Sequence, residues 1–301
     1  PVILSTYTSN VVIDGSGIIY FKALFSDSQP NQSIVILDWC YAPNGACDGQ
    51  IFSSQVNVSW SGDLGSFEIN ANKLNLSDGI WKFSYSVQDL FLRLSPKTDI
   101  TVFVDQNNPI SSLIAPEKSQ EGETILIDGS GSSDGAWTNN LQAIWYITGP
   151  DGVTYVPNSN TTTELLYVTF NESGNHTIRL DVVDWVGRMS SNITTVIVEN
   201  VVPSINLGIR GSDVNNPTSW QILVDEDLEI FSTIYDTGND ISTMTYSWYL
   251  DNEMVSSSAN LSLDDLDVGE YILRLYIEDD NGDGESYEME INVISEQKSI
   301  D

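Results

Sequence analysis

The chain has no run of about eighteen apolar residues, the length a membrane-crossing helix needs, and it carries a single histidine, two cysteines and 11 basic residues against 43 acidic ones. Each scarcity excludes something. Without such a run no membrane insertion is expected within this stretch. With His176 alone there is no Ser-His-Asp triad that does not use it, and two cysteines that can pair leave no thiol nucleophile. A net charge of -32 repels phosphate backbones, so nucleic acid is not expected as a partner. No amphipathic helix of useful length is evident, and Gly129-Ser130-Gly131 is not followed by one, which removes a phosphate-binding loop. The N-terminus at Pro1 lacks the basic flank and apolar core of a secretion signal, so the chain reads as a mature or excised fragment. No catalytic residues are expected, and the chain is not read as an enzyme.

What is present is enough to fold. Hydrophobic residues make up 41% and aromatics 10% of 301 residues, which supports two or three domains with real cores. Cys40 and Cys47 bracket a Pro-Asn-Gly turn short enough to bring the sulfurs together, and a disulfide there implies an oxidising compartment. Asn-x-Ser/Thr sequons at Asn31, Asn57, Asn75, Asn160, Asn171, Asn175, Asn192 and Asn260 are candidates for N-linked glycans, although composition alone accounts for most of them. Together with the acidity these features point to an exported, extracellular protein. More than half of the negative charge falls after residue 203. A solubilising coat is the plain reading of that acidity and cation binding the sharper one.

The chain repeats itself. Gly79 to Asp89, Gly174 to Asp184 and Gly269 to Asp279 share one template, each 95 positions after the last. Inside the template apolar residues alternate with polar ones, so one face is buried: Phe83, Tyr85 and Val87, then Ile178, Leu180 and Val182, then Leu273, Leu275 and Ile277. A second alternating run follows each, so every module ends in a β-hairpin. Short Pro-containing joints at 105–109 and 199–203 should restrict bending. Upstream, Trp39, Trp145 and Trp248 each sit in an apolar strand. Modules of about 95 residues with a Trp on a middle strand predict an all-β chain of three tandem immunoglobulin-like β-sandwiches in an elongated array. The expected boundaries are 1–106, 107–202 and 203–301. The first module has a longer spacing from its Trp to its template glycine, which predicts an inserted hairpin carrying the cysteines.

Thr124 through Gly135, followed by Trp145, Gly174 and Asp184, resembles a PKD module, as do Glu229-Ile230-Phe231, Tyr246-Ser247-Trp248 and Gly269 through Gly282 in the third module. The Trp-Asp-Phe-Gly-Asp-Gly turn usual in that family is missing after both tryptophans. The resemblance implies a spacer or adhesive module of archaeal and bacterial surface layers, filaments or secreted hydrolases, with neighbouring modules or subunits as partners. An alternative is a set of glycan- or partner-binding accessory modules of a secreted hydrolase.

Four groups of residues stand out as candidate sites. His176 shares its place in the template with Trp81 and Tyr271, where such sandwiches put a corner residue bonded to backbone. Trp137 and Trp185 lie on loops expected at the same end of module two, facing module one, and either fill that joint or bind glycan. Phe91 and Leu92 make the final-hairpin tip of module one unusually apolar, which suggests a covered surface. Asp279, Asn281 and Asp283 have the spacing of a calcium loop, although strands flank it, and the loop with Asp236 and Asp240 is expected nearby. Either an acidic hairpin turn or a Ca²⁺ site stiffening the joint fits that run. Trp60 and Trp220 lie off the template.

Overall fold

The computed structural model describes residues 1–8, 12–13, 18–26, 32–62, 64–70, 73–157 and 165–295. Asn31 and Asn160 lie outside the described residues. Strands carry almost all of the regular structure, and they fall into three successive sets.

The first set is β1 (Val2–Thr8), β2 (Val12–Ile13), β3 (Ile18–Ser26), β4 (Ile34–Tyr41), β5 (Phe52–Val56), β6 (Ser59–Ser61), β7 (Leu64–Asn70), β8 (Gly79–Gln88) and β9 (Thr98–Val104). The second is β10 (Lys118–Gln120), β11 (Thr124–Asp128), β12 (Gln142–Thr148), β13 (Thr154–Tyr155), β14 (Leu165–Thr169), β15 (Gly174–Val183) and β16 (Met189–Glu199). The third is β17 (Ser204–Ile209), β18 (Ser219–Leu223), β19 (Leu228–Tyr235), α1 (Gly238–Thr243), β20 (Thr245–Leu250), β21 (Glu253–Ser256), β22 (Leu261–Leu263), β23 (Gly269–Glu278) and β24 (Gly284–Ile294).

One five-stranded sheet recurs in all three sets, ordered β2-β9-β8-β4-β5, β10-β16-β15-β12-β13 and β18-β24-β23-β20-β21. In each, a short early strand pairs in parallel with the last strand, and the other pairings are antiparallel. A smaller sheet completes each set: β1-β3-β7-β6, β11-β14 and β17-β19-β22. Two sheets with this order and crossover make an immunoglobulin-like sandwich. The chain is therefore three such sandwiches in tandem.

Period-two alternation is what closes each core. All nine template residues expected to face inward are at most 1% exposed, and each module has its own apolar cluster around them. Trp145 and Trp248 stand opposite Leu180 and Leu275 at the centre of their sheets. Trp39 does not occupy that place. It stands opposite Phe83, one inward rung away, while Leu37 faces Tyr85 where the other modules pair Trp with Leu. A large ring on β8 takes the space that a large ring on the middle strand fills elsewhere, so the core volume is conserved by exchange across the pair.

The inserted hairpin expected in module one is also corrected. Cys40 lies within β4 and Cys47 in the turn to β5, a hairpin that all three modules possess. The disulfide joins them with Cα atoms 5.5 Å apart. What is longer is that turn, together with the edge strand β6.

Candidate functional site

The joints between modules are where chemistry-bearing side chains gather. Each is made by the tip of a final hairpin meeting the trailing end of the module before it. The tip has one architecture throughout. Asp89, Asp184 and Asp279 each accept two backbone N–H groups through Oδ1, from the residues two and four positions on. The residue at the third position past each Asp has positive φ: Leu92 at 63°, Gly187 at 94° and Gly282 at 86°. Glycine reaches that region freely, whereas a leucine is strained there. Asp279 makes this turn as the other two do, with the backbone N–H groups of Asn281 and Asp283 as donors. Asp279 Oδ1 closes the hairpin, while Asp279 Oδ2 and Asp283 Oδ2 accept from Asn200 Nδ2.

At the first joint the tip brings Trp185 against module one. The Trp137 and Trp185 ring centroids are 5.0 Å apart, and Phe103 of β9 lies 6.1 Å from the first and 6.0 Å from the second. Trp137 sits on a 3-10 turn (Gly135–Asn140), is 9% exposed, and donates Nε1–H to the Val104 carbonyl at 2.7 Å. Such a triplet buries large apolar area with little side-chain entropy to lose.

Beside the rings lies an acidic group. Oxygens of Asp105, Asp134 and Asp184 come within 4.8 Å of one another, and all three residues are buried. Arg188 serves two of them, with Nη2 on Asp105 Oδ1 and Nε on Asp184 Oδ2 at 2.8 Å. Asp105 Oδ2 and both oxygens of Asp134 have no hydrogen-bond partner among the described residues. Burial first, then the charges of Asp105 and Asp184, push the Asp134 carboxyl up to about 6, against the pull of Arg188. Burial likewise raises Asp105.

The second joint is polar. Asn281 donates Nδ2–H to Ser173 Oγ at 2.9 Å, and Asn239 of α1 donates to Glu172 Oε1 at 2.6 Å. Asn200 donates to Asp279 Oδ2 and Asp283 Oδ2, both at 2.9 Å, and Val201 N–H donates to Glu121 Oε2 at 3.3 Å. Glu121 was not anticipated from sequence. It is 4% exposed, at the end of β10, and its carboxyl faces Asp240 of α1, which is fully buried. Burial, with the neighbouring Asp240 charge, pushes Glu121 up to about 7. Burial and the charges of Asp240, Asp279 and Asp280 raise Asp236. Asp236 and Asp240 thus do lie at the joint with Asp279 and Asp283. The exposed side chain of Asn281, by contrast, points at module two.

The remaining candidates are placed as follows. Trp81 and Tyr271 donate to the carbonyls four residues back, Ser77 and Asp267, as corner residues do. His176 is buried on Phe170 with ring centroids 4.3 Å apart and its Nδ1 has no hydrogen-bond partner among the described residues; burial lowers its pKa. Phe91 and Leu92 are 73% and 74% exposed. Asn57, Asn75, Asn171, Asn175 and Asn260 are exposed, whereas Asn192 is half-buried and its Nδ2 donates to Ser111 O. Trp60 and Trp220 pack against the cores of modules one and three. Among the described residues no helix is long and apolar enough to cross a membrane.

No protein-family model matches the chain, and no curated protein matches it in sequence. Solved structures that it is similar to include a tetra-tandem repeat from the extending region of a large adhesion protein, 15% identical over 96% of this chain and 73% of that one, TM-score 0.44. Others are the fibronectin(III)-like modules of Clostridium thermocellum CbhA, 14% identical over 64% and 100%, TM-score 0.26, and chicken CNTN1 FN1-FN3 domains, 10% over 97% and 98%, TM-score 0.34. These scores are too low to argue from, and the sandwich assignment rests on strand order and pairing.

Proposed function

We propose that the chain is a structural and adhesive segment of an extracellular surface protein, a surface layer, filament or stalk, in which PKD-like modules act as a semi-rigid spacer. One observation carries this reading: the same hairpin tip is used at both joints to engage the preceding module, through Trp185 at the first and Asn281 at the second. Interlocked ends resist bending in a way that a free linker does not. The residues at the joints bind, position and exclude water, and none is arranged as a nucleophile with a base. Exposed sequons such as Asn57 and Asn175 would carry glycans in this setting.

The tip of module one is the same device with no other module against it among the described residues. Leu90, Phe91 and Leu92 stand where module two presents Trp185 to Phe103. In this reading they dock on another module or subunit of the same assembly. Changing Phe91 and Leu92 together to Ser should leave the fragment's melting unchanged and weaken assembly of the longer protein. A large loss of fragment stability, or unaltered assembly, would count against this role. The glycan-binding alternative has less to stand on, because Trp137 and Trp185 are spent at a joint and Trp60 and Trp220 on cores.

A further inference from the structure

The hairpin tip that closes both joints occurs a third time, at the leading end of module one, where no other module lies against it among the described residues. It matches the tip of module two up to one point. Asp89 Oδ1 accepts the N–H groups of Phe91 and Arg93 at 2.8 and 2.9 Å, as Asp184 Oδ1 accepts those of Val186 and Arg188 at 3.0 and 2.8 Å. Asp89 Oδ2 then accepts from Arg93 Nε at 2.6 Å, as Asp184 Oδ2 accepts from Arg188 Nε at 2.8 Å. The two arginines part at the next atom. Arg188 carries Nη2 across the joint to Asp105 of module one, and its side chain is 20% exposed. Arg93 forms no second ion pair among the described residues; its side chain is 65% exposed, and its guanidinium lies over the Phe91 ring, 5.3 Å from the centroid. Leu90, which holds the place of Trp185, is exposed, and so are Phe91, Leu92 and Leu94. Leu92 has a left-handed backbone, φ 63°, where the other two tips have glycine. A leucine is strained there, and with its side chain exposed little burial in this chain offsets the strain.

We propose that this tip is the leading half of a third joint, whose other half is the trailing end of a further sandwich module bearing an apolar ring and a carboxylate. The ring meets Leu90 and Phe91, and the carboxylate takes the Nη groups of Arg93. Because Asp89 already holds Nε, the guanidinium fork is oriented before the partner arrives, and less side-chain freedom remains to be lost. The pattern for that partner is the trailing end of module one itself, where Phe103 packs on Trp185 and Asp105 receives Arg188. Module three does not repeat it: its last strand runs out through Asn292, Val293 and Ile294, followed by Ser295, with neither a ring nor a carboxylate. A second copy of this chain set head to tail is therefore not the partner. A lipid surface would accept the exposed leucines and Phe91, but a net charge of -32 opposes approach to an anionic one. This inference rests on the spacer reading and adds to it the chemistry that the neighbouring module must carry.

The test keeps the full 301-residue chain and adds ahead of it a second copy of residues 1–106, whose trailing end supplies Phe103 and Asp105. In the added copy, Leu90→Ser, Phe91→Ser and Leu92→Gly disable its own tip and mark its peptides by mass. Hydrogen–deuterium exchange then reads residues 89–95 of the full chain alone. Exchange there should be slower than in the unextended chain by about tenfold or more. Phe103→Ser with Asp105→Asn in the added copy should return it to the unextended rate, and so should Arg93→Gln in the full chain. Unchanged exchange in the extended chain, or protection that survives the loss of Phe103 and Asp105, would overturn the proposal. A second measurement needs no added module: the unextended chain should not sediment with phosphatidylcholine vesicles. If it does, and Phe91→Ser with Leu92→Ser releases it, the tip is a membrane contact and the proposal falls. Scattering from the unaltered chain, which has neither the added module nor these substitutions, tests the spacer reading separately.

Discussion

The two joints share one backbone device and differ in what holds it shut. At the first, the tip presents Trp185 to Phe103 and Trp137, and Arg188 sits among Asp105, Asp134 and Asp184. At the second, the corresponding places are Asp280 and Asp283, Asn200 replaces Asp105, and buried Asp240 stands on α1 as Trp137 stands on its 3-10 turn. The repeat conserves the hairpin and exchanges its chemistry. One joint is cohesive by itself, through apolar area and an internal cation. The other gathers buried carboxylates with which no arginine or lysine forms an ion pair among the described residues.

The largest effect should come from removing the internal cation. Arg188→Ala leaves Asp105 and Asp184 buried without a counter-charge, and breaking such a pair costs about 3 to 5 kcal/mol. Chemical denaturation should show that loss at neutral pH; a change within error would mean that the guanidinium contributes little and that the contrast between joints is overdrawn.

A somewhat smaller effect comes from Asp134. Its carboxyl is raised from 3.8 to about 6 by burial and by Asp105, Asp184 and Asp78, with Arg188 opposing. Because the folded form binds its proton more tightly, its contribution is fully favourable below about pH 4. That contribution is lost as pH rises through about 6, by at most about 3 kcal/mol. Asp134→Asn should flatten the slope and raise stability at pH 7.5. An unchanged pH profile would show that Asp134 is not held as described.

The smallest effect is the sharpest for the comparison. Asp283→Arg restores at the second joint the residue the repeat has at the first. It should stabilise the chain by about 1 kcal/mol. A variant less stable than the parent would show that the two tips are not interchangeable.

The parts of this molecule legible in sequence are those with local periodicity. Phe83, Ile178 and Leu273 announce their buried face because neighbours two residues apart share it. The loops bearing Trp137 and Trp185 could be placed at one end from topology alone, and their rings meet there. Trp39 lies in an apolar middle strand as expected, but its register was not legible, because a tryptophan in such a strand says nothing about which residue it faces; only pairing with Phe83 does. The acidic groups were harder. Glu121 reaches Val201 across 80 residues from the end of a three-residue strand, and Asp105, Asp134 and Asp184 come from three separate stretches. In a chain with 43 acids no spacing marks them. The run from Asp279 to Asp283 does carry the signal of a hairpin turn, closed by one Asp279 oxygen reaching forward to the backbone N–H groups two and four residues on.

Small-angle X-ray scattering of the 301-residue chain bears most directly on the central claim, that interlocking joints make a semi-rigid rod of three sandwiches. At about 40 Å per sandwich, from roughly 3.3 Å per strand residue plus loops, the longest dimension should be on the order of 120 Å. A compact globule, or the spread of dimensions expected of freely hinged modules, would contradict it.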